Sequence, residues 1–196
     1  MSIKSSQHQN SDIDSKVIYG VWVYILTNCI IFSCLFASFV VLRDNVYGSI
    51  SINEVASLPF VLLLTFLIII MNLSNGLGYV QANLAKKSQV MLWLAIAFIA
   101  ALAYIILLLC SLNALTDAGY SWRTSGFLSI YFILIEFFAF NVVVALAWSL
   151  ILFIQLSDVG LTCQMKTRLT CLNLYGNYLS LIWLFIFIFV FLMRVI

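Results

Sequence analysis

The sequence predicts an all-α integral membrane protein: a bundle of five transmembrane helices, N-terminus cytoplasmic and C-terminus periplasmic. Three observations predict it. Of the 196 residues, 65% are hydrophobic and 8% charged, whereas a soluble domain uses roughly 25% charged residues to cover a water-facing surface. The apolar residues come in long, unalternating runs, unlike the alternating ten-residue segments of a transmembrane barrel. Glycine and proline number only eight and one, so the spans read as continuous helices rather than broken ones.

Residues 1–16, "MSIKSSQHQNSDIDSK", form a polar cytoplasmic tail. They are not a signal peptide, because the apolar run that follows is too long for an h-region and lacks a small-residue cleavage site. The first helix is expected near 17–42, with Tyr19, Trp22 and Tyr24 as an interfacial belt at one end. The second is expected near 58–81, with Ser57 as its cap. Pro59 sits in its first turn, where a missing N–H has no intrahelical partner to lose. The third falls near 90–112. The fourth, near 127–156, exceeds the ~20 residues that cross ~30 Å of hydrocarbon, so it tilts or extends beyond the bilayer. The fifth falls near 172–195. Short connections leave residues 17–196 as one domain. No internal repeat is present, and five helices cannot divide into two inverted halves of the kind many transporters use.

Orientation follows from the basic residues. Lys4, Lys16, Lys86, Lys87, Lys166 and Arg168 lie on one side, and Arg43, Arg123 and Arg194 on the other. The richer side is the cytoplasmic one. A net charge of +2 without a basic, aromatic-rich surface cluster implies no nucleic-acid partner; membrane lipids are the surroundings.

No catalytic, cofactor-binding or metal-ligating set is visible. Intramembrane haem and copper sites rely mostly on histidine, and the one histidine, His8, is in the polar tail. Cys29, Cys34, Cys110, Cys163 and Cys171 form no C-x-x-C pair and suggest neither a metal site nor a disulfide framework. A Ser-His-Asp set, H-E-x-x-H and a P-loop are all missing. What the helices do contain is uncharged polarity: Thr27, Asn28 and Ser33; Thr65, Asn72, Ser74 and Asn75; Asn173, Asn177 and Ser180. In lipid such groups turn toward other helices, for about 0.6–2 kcal/mol each. Small residues at helical spacing permit close approach of backbones: Cys29, Ser33 and Ala37; Ser74 and Gly78; Ala97 and Ala101. Packing within the bundle or against a partner explains both patterns; a polar substrate path is the sharper alternative.

One residue resists that account. Glu136 is the only ionisable side chain in "SIYFILIEFFAFNVVVALAW", 129–148, and a charge there costs at least ~2.5 kcal/mol. It is a neutral carboxyl hydrogen-bonded to a neighbouring helix, a salt-bridge partner for another subunit's Lys or Arg, or a proton-handling site. This chain has no intramembrane cation of its own, so a salt bridge requires a partner. Glu136, Asn141 and Asn177 are the candidate residues for intramembrane contact with a partner chain.

Several segments together carry a resemblance: "YGVWVYILTNCIIFSCLFASFVVL" (19–42), "LPFVLLLTFLIII" (58–70), "KKSQVMLWLA" (86–95), "RTSGFLSIYF" (123–132) and "KTRLTCLNL" (166–174), with Trp183 in the last helix. The chain resembles the haem–copper oxidase subunit III family, in the five-helix form of the cytochrome bo-type ubiquinol oxidases. The resemblance implies a bacterial inner-membrane location and a subunit without redox centres, packed against catalytic subunit I. That partner carries haem and copper in an enzyme that oxidises ubiquinol, reduces oxygen to water and translocates protons in aerobic respiration. Accessory proteins of nitric oxide reductase belong to the same superfamily and are the alternative; a small transporter or channel is a more distant one. The chain departs from the family where the family buries ionisable groups. Acids give way to Asn28, Leu64, Leu108, Ser111 and Ser180, and histidines to Phe138, Asn141 and Asn177. The packing role carries over; the groups for a proton-related role do not. Nothing about Glu136 transfers from the family.

Overall fold

The structure is a computed structural model and describes residues 2–42, 58–117, 119 and 126–192, with the side chains of 2–14, 58, 159, 191 and 192 left aside. Ser57, Arg43, Arg123 and Arg194 lie outside the described residues, as do the side chains of Lys4 and His8. Within these limits the chain is all helical. It has five helices: α1 Ser2–Leu42, α2 Leu58–Asn83, α3 Lys87–Asp117, α4 Gly126–Val159 and α5 Cys163–Ile186. A wider π-helical stretch, Phe187–Leu192, continues α5. All five are long and apolar enough to cross a membrane, with mean hydropathy between 1.6 and 2.8 over their best windows.

Two helices start earlier than the apolar runs suggest. α1 is helical from Ser2, through the segment the sequence reading treats as a tail. Neither glycine nor proline occurs before Gly20, so nothing in the backbone chemistry breaks the helix there. α5 begins at Cys163 instead of near 172 because Thr162 caps it: its extended backbone (φ −89°, ψ 166°) turns the hydroxyl to accept from the Met165 N–H at 3.3 Å. The first turns of α5 are polar, so an apolar window passes over them.

The two described turns use different residues for the left-handed position. α2 closes with Ala85 at φ 57°. The Ala85 N–H donates to Ala82 O and the Lys86 N–H to Gln81 O, both at 3.2 Å. This is a Schellman closure with alanine where glycine is preferred. Between α4 and α5 the position is Gly160, φ 78°. Both turns lie at one end of the bundle. There the Lys87 ammonium donates to the Ser157 carbonyl at 2.9 Å, near the C-terminus of α4, where the helix dipole favours a cation. Arg168 donates to the Gln155 side-chain oxygen nearby.

α5 is the most buried of the five spans. It packs on α1, α2 and α4; α2 also packs on α3, α3 on α4, and α4 on α1. Neighbours therefore run α1, α4, α3, α2, and α5 joins α2 back to α1 and α4. A large interior cluster runs through all five helices. Its middle is aromatic: Tyr104 and Trp183 meet edge to face at 5.5 Å, and Phe138 lies 5.3 Å from Trp183. Phe32 of α1 docks on Phe137 at 5.1 Å. A smaller cluster of Ala82, Val90, Leu94, Leu152, Leu156, Met165, Leu169 and Leu172 closes the turn end. The outside is equally apolar, with Ile30, Phe66, Ile99, Phe140 and Leu184 all exposed, as a lipid solvent requires and water does not permit.

Candidate functional site

The three residues expected at a partner contact are placed in three different environments. Asn141 is 1% exposed. Its amide donates to the Phe137 carbonyl at 2.9 Å, and its Oδ1 accepts from the Tyr175 hydroxyl at 2.9 Å. That side chain is engaged between α4 and α5 and offers no surface to another chain; its contact is within the bundle. Asn177 is exposed, on a face of α5 shared with Leu181, Leu184 and Ile188 that no helix among the described residues covers. Glu136 is also exposed, on the outer face of α4 in line with Ile133, Phe140 and Val143. Among the described residues it has neither a hydrogen bond nor an ion pair.

The uncharged polar residues divide in the same way. Several meet between α2 and α5. A Cβ at Gly176 would stand 3.2 Å from Asn75 Nδ2 and 3.4 Å from Asn72 Oδ1, and one at Gly76 would stand 3.8 Å from Asn173 Oδ1. Glycine at these points lets amide side chains fill the space between two helices. About two turns away, the Trp183 indole N–H donates to Thr65 Oγ1 at 3.0 Å, while Thr65 donates back to the Val61 carbonyl at 2.9 Å. Ser74, Ala97 and Ala101 are buried, and Gly78 lies against Trp93, so these small residues serve close packing inside the chain. The α1 stripe differs: Ser33 and Ala37 are exposed, and the hydroxyls of Thr27, Ser33 and Ser38 bond back to carbonyls one turn earlier.

The family resemblance leads to acids at the positions of Leu64, Leu108 and Ser111. The fold brings these positions together: with Tyr131 and Trp183 they line one cavity of about 10 Å³. It is a single place in the interior, and its wall now carries two leucines and a serine. Asn28, at a further such position, is buried and donates to the Tyr24 carbonyl at 3.0 Å. A second cavity of about 10 Å³ is bordered by Asn75 and Ser149. The Asn75 Oδ1 and Ser149 Oγ atoms have no protein partner, and the space suits one bridging water. Among the described residues no three His, Cys, Asp or Glu side chains gather where they could share a metal ion.

Sequence reasoning missed the interior partners of these groups, Tyr175 for Asn141 above all. The signal existed: a tyrosine in the middle of a span needs a hydrogen-bond partner when buried, and Tyr175 is two residues from the already noted Asn173.

No family model matches the chain. Individual relatives do. The cytochrome bo(3) ubiquinol oxidase subunit 3 of Pseudomonas aeruginosa is 31% identical over 182 residues, 93% of this chain and 87% of that one. The protein of the same name from Buchnera aphidicola subsp. Baizongia pistaciae is 31% identical over 190 residues, 97% and 98% of the two chains. The quinol oxidase subunit 3 of Bacillus subtilis is 28% identical over 179 residues, 90% and 86%.

Proposed function

The chain belongs to the family of quinol oxidase subunit 3, a component of multi-subunit terminal oxidases, and from that premise we propose that it is the non-catalytic subunit III of a ubiquinol-oxidising complex. It packs against catalytic subunit I in the bacterial inner membrane and stabilises it. The larger subunit carries the haems and copper, oxidises ubiquinol, reduces oxygen to water and translocates protons. The observation that carries this reading is kinship along nearly the whole chain with proteins of that name. It favours the oxidase over a nitric oxide reductase accessory protein or a transporter.

The interior supports a structural role. The side chains at the α2–α5 and α4–α5 contacts are amides, hydroxyls and aromatic rings. Such groups hold helices together by hydrogen bonding, and asparagine does not carry a proton near neutral pH. Three of the five positions where the resemblance leads to acids, Leu64, Leu108 and Ser111, line a neutral cavity, so this subunit contributes contact rather than proton handling. The lone histidine lies in the polar N-terminal stretch, outside the membrane spans, so this chain lacks the donor set of an intramembrane haem.

Purification through a tag on this chain in mild detergent tests the reading. A large multi-helix partner with haem absorbance should accompany it, while the separated subunit should show no Soret band. Absence of any haem-bearing partner, or stoichiometric haem on the subunit alone, would overturn it. The orientation is tested separately. A reporter after Ile196 should report a periplasmic location and one between Ala85 and Lys87 a cytoplasmic location, because six of nine Lys and Arg lie on the latter side.

A further inference from the structure

The outer face of α4 carries a charge-bearing group where lipid would otherwise lie. Ile133, Glu136, Phe140, Val143, Ala147, Leu150 and Ile154 are all exposed, and their alternating spacing of three and four aligns them along one side of the helix. Glu136 is the only ionisable member. It lies ~15 Å along the helix from Gly126, one to two turns from the centre of the Gly126–Asp158 span. Six residues from that centre is ~9 Å of rise, inside the ~15 Å half-thickness of the hydrocarbon, so its carboxyl lies within the apolar layer. No donor or cation of this chain meets it among the described residues. The helix interfaces of this chain, by contrast, use neutral polar groups.

The geometry points to this face as the docking surface for a transmembrane helix of the oxidase that carries a Lys or Arg near the bilayer middle, opposite Glu136. The inference rests on the subunit reading above and names where the partner sits and by what chemistry. Charge complementarity selects the occupant. Against lipid, a carboxylate stays unneutralised and a protonated carboxyl leaves both its O–H and its carbonyl oxygen unpartnered. A packed helix with a cation neutralises the charge and supplies charge-assisted donors in one contact. The flanking Ile133, Phe140 and Val143 bury against the same helix and exclude lipid from the pair. A proton-handling carboxyl would need a polar route to it, and its neighbours on this face are apolar throughout.

The test uses the assembled complex, purified through a tag on this chain. A photo-reactive residue at Ile133 or Phe140 should crosslink to one oxidase helix, mapped by mass spectrometry, with Lys or Arg in its middle third; the same probe at Ile106, on the outside of α3, should not reach that helix. Glu136→Gln should reduce the fraction of this chain retained through a detergent challenge about tenfold or more, since it leaves the partner's cation unpaired. Its content in the membrane should be unchanged. Glu136→Lys should be worse, and should be rescued when the partner's basic residue is changed to Glu. Retention of Glu136→Gln equal to wild type, crosslinks to lipid alone, or crosslinks to a helix without a basic residue would overturn the docking surface. So would lost proton pumping in an intact Glu136→Gln complex. If wild-type chain purifies without a haem-bearing partner, the subunit reading itself falls. If it purifies with one and the crosslinks fail, only the docking surface does.

Discussion

Two regions place polar groups in hydrocarbon and treat them oppositely. Between α2 and α5, Asn72, Asn75 and Asn173 lie against glycines; about two turns on, Thr65 accepts from Trp183, and between α4 and α5 Tyr175 bonds Asn141. On the outer face of α4, Glu136 stands exposed among Ile133, Phe140 and Val143 with nothing from its own chain. The interior polarity is neutral and enclosed by this chain's own helices, with Asn72 Oδ1 and Asn75 Oδ1 unpartnered among the described residues. The polar group on the outer face of α4 is ionisable and left open. The difference separates residues that pack this chain's own helices from the residue proposed to meet another subunit, since an isolated bundle gains nothing from a carboxyl at that position.

The comparison breaks if the interior proves dispensable. Trp183→Ala removes the largest fully buried side chain, its contacts with Tyr104 and Phe138, and the donor to Thr65. It should cost about 3–5 kcal/mol, read as a lower unfolding midpoint of the detergent-solubilised chain. Gly176→Leu forces a side chain where a Cβ alone already stands 3.2 Å from Asn75. It should cost about 1–3 kcal/mol by overpacking and separate α2 from α5, which an engineered cysteine pair between those helices would detect as slower disulfide formation. Tyr175→Phe keeps the ring and removes the hydroxyl that reaches Asn141. The expected loss is about 0.6–2 kcal/mol, and in an Asn141→Leu background the same change should cost measurably less, because the closer Oδ1 acceptor is already gone and only the Asn141 backbone carbonyl at 3.2 Å remains. The smallest effect sharpens the contrast. In the isolated chain Glu136→Gln should alter stability by no more than about 0.5 kcal/mol, whatever it does to the complex. A large loss there would mean that Glu136 serves its own bundle.

The helices themselves were largely legible in the sequence. Five apolar runs become five helices, since hydrophobicity and length suffice to identify a span. Ends were less legible. Thr162 sits ahead of a polar first turn, so its cap was hidden from a reading that began at the apolar run near Leu172. Pairings were least legible. Thr65 and Trp183 are 118 residues apart, and Tyr175 and Asn141 are 34 apart; single-sequence periodicity carries no information about which face of one helix meets which face of another.

Composition and order alone settled that the chain crosses a membrane five times, that its interior chemistry is uncharged, and that one carboxyl stands apart. Tertiary structure decided which polar groups look inward. In a soluble protein the apolar stripe of a helix marks its buried face. Here lipid and core are both apolar, so that signal vanishes, and Asn141, Asn177 and Glu136 read alike along the chain. Only the packing of the five helices on one another turns Asn141 toward Tyr175 and leaves Asn177 and Glu136 facing outward.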